Sequence, residues 1–379
     1  TTSEVNNKKY SKILVTGGAG FIGSFLVDGL IAGGYLVRIL ENLEEQVHKG
    51  KKPEYLNKKA EFIKGDVRDY SVFEKAIKGI DAVFHLASAV GVGQSNYQIK
   101  KYVDANIGGM GNLLDLLVNT KHQVKKIVTI SSMTGYGEGN YSCKECGIVR
   151  PPLRQEGQLK KKDWNLYCPN CNKIVQPILT DEQALDFPNS IYGLSKKVQQ
   201  DMSLLVGKIY NIPVAVLRGF NIYGPRQSLS NPYTGVTAIF ISRLKNDQPL
   251  IVYEDGLQTR DFVSVHDVAR AFVLALEKDS ANFQMFNIGS GKGTTILEVA
   301  EILSKLLGKT GLIQVNQDFR KNDIRHCFAD NTNAKKLLGW EPQVSLEQGF
   351  KELIEWSENE KAEDMFSKAQ KELKQKGLT

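Results

Sequence analysis

No apolar run in this chain approaches the length of a membrane span, so no transmembrane helix is expected. The opening segment TTSEVNNKKY is polar, lacks the apolar stretch of a secretory leader, and reads as a frayed tail. Cysteine is scarce: five occur in 379 residues, four of them in two close pairs. That usage does not match the disulfide framework of a small secreted domain and favours a cytoplasmic setting. Charge of one sign is not concentrated either, because 49 Lys and Arg are scattered among 42 Asp and Glu, leaving +7 without a basic stripe. This argues against a nucleic-acid partner and suits small anions such as diphosphates. No internal repeat is evident. What remains is ordinary for a globular protein, 41% apolar and 24% charged, long enough for one large domain or two joined ones.

Short apolar runs rich in β-branched residues recur along the first part of the chain. KILVTG (12–17), YLVRIL (35–40), AEFIKG (60–65), DAVFHLA (81–87), KIVTISS (126–132) and PVAVLR (213–218) read as strands. Helical patterns lie between most of them, at Phe21–Ala32, Ser71–Ile77, Tyr97–Val118 and Ile191–Tyr210. Strands buried on both faces and alternating with helices predict a parallel α/β sheet. Beyond about residue 221 the texture loosens. There Thr295 and Glu298 form a capping box and Gly308 a stop, and LLGWEP (337–342) ends another element. The charged pattern after Trp356 reads as a solvated helix.

Between the first strand and helix lies TGGAGFIG (16–23). Glycine is the costliest residue to order, so the cluster needs a reason. Gly17-x-x-Gly20-x-x-Gly23 at a strand–helix junction allows a tight turn, close backbone approach and unpaired helix amides facing a pyrophosphate. Glu41, just past the second strand, can accept hydrogen bonds from ribose hydroxyls and would repel a 2′-phosphate, which favours NAD over NADP; an ordinary surface glutamate is the alternative. Asp66 and Val67 of GDV then fall near the adenine.

YGLSK puts Tyr192 and Lys196 four residues apart, on one face of a helix. A tyrosine of pKa about 10 is a poor base at neutral pH. A nearby ammonium, helped by a nicotinamide cation, is expected to favour the phenolate and lower that value. Ser132, at the end of KIVTISS, supplies a hydroxyl to orient a substrate oxygen. A surface helix pair is the plain alternative for Tyr192 and Lys196. The order of glycine turn, strand-end serine and Tyr-x-x-x-Lys helix argues against it.

Those motifs, together with GDVRD, HLAS, SSMTGYGEG, LRGFNIYGPRQ, TRDFVSVHDVARA, FNIGSG and LLGWEP, resemble the extended short-chain dehydrogenase/reductases of the NAD-dependent nucleotide-sugar epimerase/dehydratase family over nearly the whole length. The resemblance implies a Rossmann-type doubly wound parallel sheet over residues 1–220, carrying NAD and interrupted by an insert at 142–176. It implies a smaller nucleotide-sugar domain over 221–379, with 259–290 packing back on the first. Cofactor contacts would come from Gly17, Gly20, Phe21, Ile22, Gly23, Glu41, Asn42, Asp66 and Val67. Leu86, Ala87 and Ser88 of HLAS, Asn106, Phe220, Tyr192 and Lys196 would complete them. Ser132, Tyr192 and Lys196 match the catalytic triad. Ser132, Thr134, Asn221, Arg226 and Val236 would meet the sugar nucleotide, with Arg260 and Arg320 on its diphosphate and Asp323 on its ribose.

The departures are as informative. Related dehydratases carry an Asp-Glu pair just after the catalytic hydroxyl, because removing water needs a separate acid and base, and related decarboxylases keep the glutamate. Here those positions are Met133 and Thr134. The expectation is therefore a 4-epimerase that works through a transient 4-keto sugar. A net reductase or dehydrogenase and a non-catalytic NAD-binding regulator are the alternatives. The family also implies a homodimer, paired through helices such as Tyr97–Val118 and Ile191–Tyr210.

CKEC (143–146) and CPNC (168–171) have the spacing of a four-cysteine zinc site. Cys143, Cys146, Cys168 and Cys171 are expected to hold a structural zinc in a zinc-ribbon-like insert; disulfides or free thiols are the alternatives. Four thiolates would leave no open position for catalysis. This insert lies between Ser132 and Tyr192, so it should sit near the active-site mouth, and it is similar to that of family members acting on dTDP-L-rhamnose. Cys327 has no partner in sequence and reads as a buried or pocket residue.

Overall fold

The computed structural model describes residues 9–378, so most of the segment read as a frayed tail lies outside the described residues. Seven strands form one parallel sheet: β1 (Lys12–Thr16), β2 (Leu36–Glu41), β3 (Glu61–Lys64), β4 (Ala82–His85), β5 (Lys126–Ser132), β6 (Val214–Gly219) and β7 (Gln284–Ile288). Their order is β3-β2-β1-β4-β5-β6-β7. Six are the runs read from sequence; β7, with its polar Gln284 and Asn287, carried too weak a pattern to be read. Among the described residues, helices of eight residues or more are α1 (Phe21–Ala32), α2 (Tyr70–Ile77), α3 (Gly109–Asn119), α4 (Ile191–Ile209), α5 (Val236–Lys245), α6 (Val265–Glu277), α7 (Ile296–Leu306), α8 (Leu346–Ser357) and α9 (Phe366–Gln375).

Alternate side chains of each strand point to opposite faces, and both faces are covered. Ile13, Val15, Ile39, Phe84 and Leu217 pack with Leu26 and Leu30 of α1, Phe272 of α6, and Trp340. Leu14, Leu40, Val83, Ile127 and Val216 pack with Phe73 of α2, Leu113 and Leu117 of α3, and Met202 of α4. A second core, built from α5, α7 and α8 around Phe240, Leu303 and Phe350, forms the smaller lobe. The chain nevertheless returns to the main sheet: α6 lies beside α1, and β7 extends the edge at β6. Strand order reverses between β1 and β4, which opens a crevice at their carboxyl ends.

Three local expectations are corrected. Glu41 closes β2 rather than following it, because its backbone still pairs with Lys64. The single helix expected over Tyr97–Val118 is broken: Ile99–Tyr102 is α-helical, Val103–Gly108 forms a π turn, and α3 starts at Gly109. The π turn projects Asn106 into the interior, where its amide bonds Ala89 N, Ala89 O and Ser195 Oγ at 2.7, 3.1 and 2.9 Å. The tail helix is not merely solvated. α9 buries Phe366 and Ala369, and Gln370 reaches the Tyr253 hydroxyl.

Trp340 follows Gly339, whose φ of 63° turns the chain out of a short π segment. The indole is fully buried and donates to Asp267 O at 2.8 Å. Trp340→Ala should therefore destabilise the fold by about 3–5 kcal/mol. A lower urea midpoint with an unchanged slope would register that loss.

Candidate active site

A cleft of about 660 Å³ lies at the crevice of the main sheet and is closed on its other side by the smaller lobe. Its floor is the glycine turn. A Cβ at Gly23 would lie 2.2 Å from Gly17 O, and one at Gly17, where φ is +70°, 2.8 Å from Ala87 N. Only glycine allows β1, the turn and the Leu86–Ser88 strand exit to approach this closely. α1 begins at Gly20 with no capping side chain, whereas Asp69, Ser190, Ser264, Thr295 and Ser345 cap α2, α4, α6, α7 and α8. Its first-turn amides, beside Phe21 and Ile22, are thus free to meet an anion at the cleft wall.

At one end, Glu41 is buried against the turn. Burial pushes its carboxyl pKa up, opposed by hydrogen bonds from the amides of Leu43, Ala19 and Asn42. Asn42 Nδ2 donates to Asp66 at 2.9 Å, and Arg68 grips both Asp66 oxygens at 2.9 and 2.7 Å. Burial opposes the Asp66 charge, but those bonds outweigh it and hold the carboxyl at about 2. Val67 completes this wall.

The Ser-Tyr-Lys group meets further along. Three side chains fix the start of α4: Ser95 Oγ accepts from Tyr192 N at 3.0 Å, Asn96 Oδ1 from Ile191 N at 3.1 Å, and Ser190 Oγ from Gly193 N at 3.0 Å. A Cβ at Gly193 would lie 2.6 Å from Thr134 O, so the helix abuts the loop carrying Ser132. Ser132 Oγ accepts from Thr134 Oγ1 at 2.9 Å. Lys196 is 1% exposed and donates to Ser88 Oγ at 2.9 Å and Gln199 Oε1 at 2.6 Å. For the two side chains alone, burial sets the charge states. Burial pushes the Tyr192 phenol up to about 12, with the Ser132 hydrogen bond pulling the other way, and burial brings Lys196 down to about 7. Desolvation is the largest influence on each.

The smaller lobe supplies the opposite wall. Val236, Arg260, Arg320 and Asp323 line the cleft on this side, and Thr134, Phe220 and Asn221, from the segments that follow β5 and β6, line it beside the sheet. Arg260 donates to Asp323 Oδ1 at 3.0 Å, and the Arg320 guanidinium stacks on Tyr253 at 4.5 Å. Asn221 Oδ1 is buried without a hydrogen-bond partner, as a ligand contact would leave it. α5 also starts uncapped, at Gly235, where it opens on the cleft.

Two expected contacts are not at the cleft. Arg226 pairs with Asp28 at 2.8 Å and lies over the rings of Phe25 and Tyr55 at 4.2 and 5.1 Å, because a φ of 67° turns it toward α1. Asn106 stands behind the wall and holds Ala89 and Ser195 in place. Sequence reasoning missed Ser95 and Asn96, whose capping role depends on a segment nearly a hundred residues from α4. It also missed Leu373 of α9, which lines the cleft beside Gly93. Glu372 on the same helix accepts from Tyr97 and Tyr233 at 3.1 and 2.7 Å.

Beyond the mouth, Tyr141–Cys143, Gly147–Val149 and Gln176–Pro177 pair as a small antiparallel sheet. The sulfurs of Cys143, Cys146, Cys168 and Cys171 all lie within 4.8 Å of one another, and no disulfide joins them. Cys327 is buried, as expected.

The profile of the NAD dependent epimerase/dehydratase family matches residues 13–156, and that of GDP-mannose 4,6 dehydratase matches 174–353. A dTDP-L-rhamnose 4-epimerase of Burkholderia thailandensis is 37% identical over 91% of this chain and 94% of its own length. A UDP-glucose 4-epimerase of Thermotoga maritima, solved with UDP-glucose, superposes with a TM-score of 0.74 at 32% identity, covering 92% of this chain and 98% of its own. A UDP-glucuronic acid 4-epimerase of Bacillus cereus, solved with UDP-glucuronic acid and NAD, gives 0.73 at 28% identity, covering 92% and 99%. With the glycine turn, strand-end serine and tyrosine helix in one cleft, this chain belongs to the NAD-dependent epimerase/dehydratase family of extended short-chain dehydrogenase/reductases.

Proposed function

We propose that the protein is an NAD-dependent nucleotide-sugar 4-epimerase, acting on dTDP-L-rhamnose or on a UDP-glucose/galactose type of sugar. The observation that carries this reading is the setting of Ser132 and Tyr192. Both line the same cleft, and Met133 and Thr134 follow Ser132 where elimination or decarboxylation would need carboxylates. The named activities of the relatives support the same reading.

The residues fit NAD: the uncapped α1 amides would meet its pyrophosphate, Glu41 its adenosine ribose, and Tyr192 and Lys196 its nicotinamide half, all of them lining one cleft. When bound, NAD supplies a reversible hydride acceptor. The chain's own part is proton transfer and positioning. Tyr192 takes the proton of the sugar 4-hydroxyl and later returns it, while Ser132 holds the 4-oxygen in line. Lys196 holds the nicotinamide ribose, and positive charge beside the phenol offsets the burial that favours its neutral form. Arg260 and Arg320 grip the diphosphate through fork geometry, so that the sugar can turn over about that anchor between the two half-reactions.

For the insert we propose a structural zinc on the four cysteines. The single cluster of sulfurs supports it, since tetrahedral bonds of about 2.3 Å put thiolates about 3.8 Å apart. A core of six buried side chains, two of them ligands, also leaves this insert short of apolar stabilisation without a metal. Reduced thiols fit a cytoplasmic enzyme. Among the described residues no helix is long and apolar enough to cross a membrane. Exposed Leu194, Leu205 and Ile209 lie along one face of α4 near exposed Ile99 and Val103, which supports pairing of two copies there.

Tyr192→Phe should lower turnover of nucleotide sugars by at least about a thousandfold while NAD remains bound. The direct assay is NMR detection of the C4 epimer with UDP- and dTDP-sugars, and near-normal rates would refute the role. Lys196→Met should lose at least about a hundredfold in rate yet keep or gain thermal stability at pH 7. The buried lysine has a depressed folded-state pKa, so it opposes folding below its unfolded value, and melting curves should reveal that sign. Elemental analysis should find zinc equimolar with the chain, and Cys143→Ser should release it and lower the melting temperature. An intact melting temperature with no metal would remove the zinc assignment.

A further inference from the structure

Between Val149 and the short helix Glu156–Lys160, the cysteine insert runs to the smaller lobe and delivers Arg154 into its interior, side chain 1% exposed. The guanidinium donates to both oxygens of Glu254 at 2.8 and 2.9 Å and to the Asp323 carbonyl at 3.3 Å. Glu254 has a φ of 55°, a left-handed conformation that its surroundings must maintain. It accepts a further bond from Arg325 at 2.7 Å, and Arg325 also spans both oxygens of Asp255 at 2.7 Å each. The network then reaches the cleft: Arg260 donates to the Arg325 carbonyl at 3.1 Å and to the Asp323 carboxylate at 3.0 Å.

Arg260 and Asp323 line the cleft, whereas Arg154, Glu254 and Arg325 do not. Arginines and carboxylates thus alternate from a buried core at Arg154, Glu254 and Arg325 out to the half-buried Arg260–Asp323 pair, and one of the arginines comes from the insert. Without it, the buried Glu254 carboxylate would keep one cation partner instead of two, leaving its charge less compensated beside a site that must accept a diphosphate. The Asp323 backbone would also lose its tether.

We propose that Arg154 is a positioning residue for the nucleoside diphosphate: through Glu254 and the Asp323 carbonyl, the cysteine insert sets the Arg260–Asp323 pair and with it the affinity for that half of the substrate. This rests on the epimerase reading above. It assigns the insert to substrate binding, apart from NAD binding and from the proton chemistry at Tyr192.

The test titrates UDP and dTDP calorimetrically into the NAD-loaded enzyme, alongside steady-state kinetics and NAD content, for wild type, Arg154→Met and Arg154→Lys. Arg154→Met should weaken the nucleotide that wild type binds by about tenfold or more and raise KM for its sugar in proportion. Its kcat should stay within about threefold of wild type, with NAD content unchanged. Arg154→Lys keeps the charge but loses the planar fork, so its affinity should fall by about threefold. Should Arg154→Met fail to fold, the lysine variant carries the test. Wild-type nucleotide affinity in the folded variant overturns the proposal, as does an equal loss of kcat, NAD and nucleotide binding. A wild type that holds NAD and binds neither nucleotide overturns the site reading and this inference with it.

Discussion

The approach of Gly193 to Thr134 O governs the chemistry of this site. With a Cβ at that position only 2.6 Å from a carbonyl oxygen, any larger residue would force α4 away from the loop after β5. The proximity is held as well as permitted, because Ser95, Asn96 and Ser190 together occupy the amides of the first turn. A helix start satisfied in this way cannot slide without leaving buried donors unpaired. Tyr192 thus meets Ser132 at a fixed depth, and everything proposed about proton transfer inherits that geometry.

The same burial that fixes the geometry works against the chemistry. Desolvation raises the Tyr192 phenol and lowers the Lys196 ammonium, so the protein alone favours the neutral form of both. Such a pair responds strongly to one added charge, because no bulk solvent screens it. A cationic ring within the cleft would act oppositely on the two: it would favour the Tyr192 phenolate and oppose the Lys196 proton, which would be kept only where the phenolate forms beside it. On the proposed reading, activation would be coupled to cofactor occupancy.

Legibility followed the distance in sequence over which each feature is built. The glycine turn, the six runs that became β1 to β6, and the Tyr-x-x-x-Lys helix are local patterns, and their residues stand together in the cleft. β7 escaped because Gln284 and Asn287 interrupt its apolar run, and Asn287 spends its side chain on Tyr136 and Thr180. Arg226 misled because its motif sits at the cleft's edge while a left-handed backbone turns its side chain onto Asp28. The helix ending in Val118 could not be seen as broken, since a π turn leaves no composition signal and Asn106 looks like any polar helix residue. α9 looked solvated because its lysines dominate the pattern, while its few apolar residues meet partners more than a hundred positions away.

That contrast divides the molecule into two kinds of construction. The dinucleotide half is mostly an alternation of strand and helix in chain order, completed by α6 and β7 from later in the chain, so its function is written in short motifs. The substrate half has its own apolar core at α5, α7 and α8, but its rim is assembled from segments around residues 90, 150, 220, 255, 320 and 370, tied by polar contacts. Arg154 reaching Glu254 and Glu372 bridging Tyr97 to Tyr233 are of this second kind. Buried charge networks tolerate little rearrangement, because an unpaired member costs more than the pair returns. A lobe that must distinguish one sugar nucleotide from another gains from such rigidity at its rim, whereas the shared NAD chemistry needs only the floor. On the proposed reading, segments attached at the rim, such as the cysteine insert and α9, would alter what is bound while leaving proton transfer at Tyr192 unchanged.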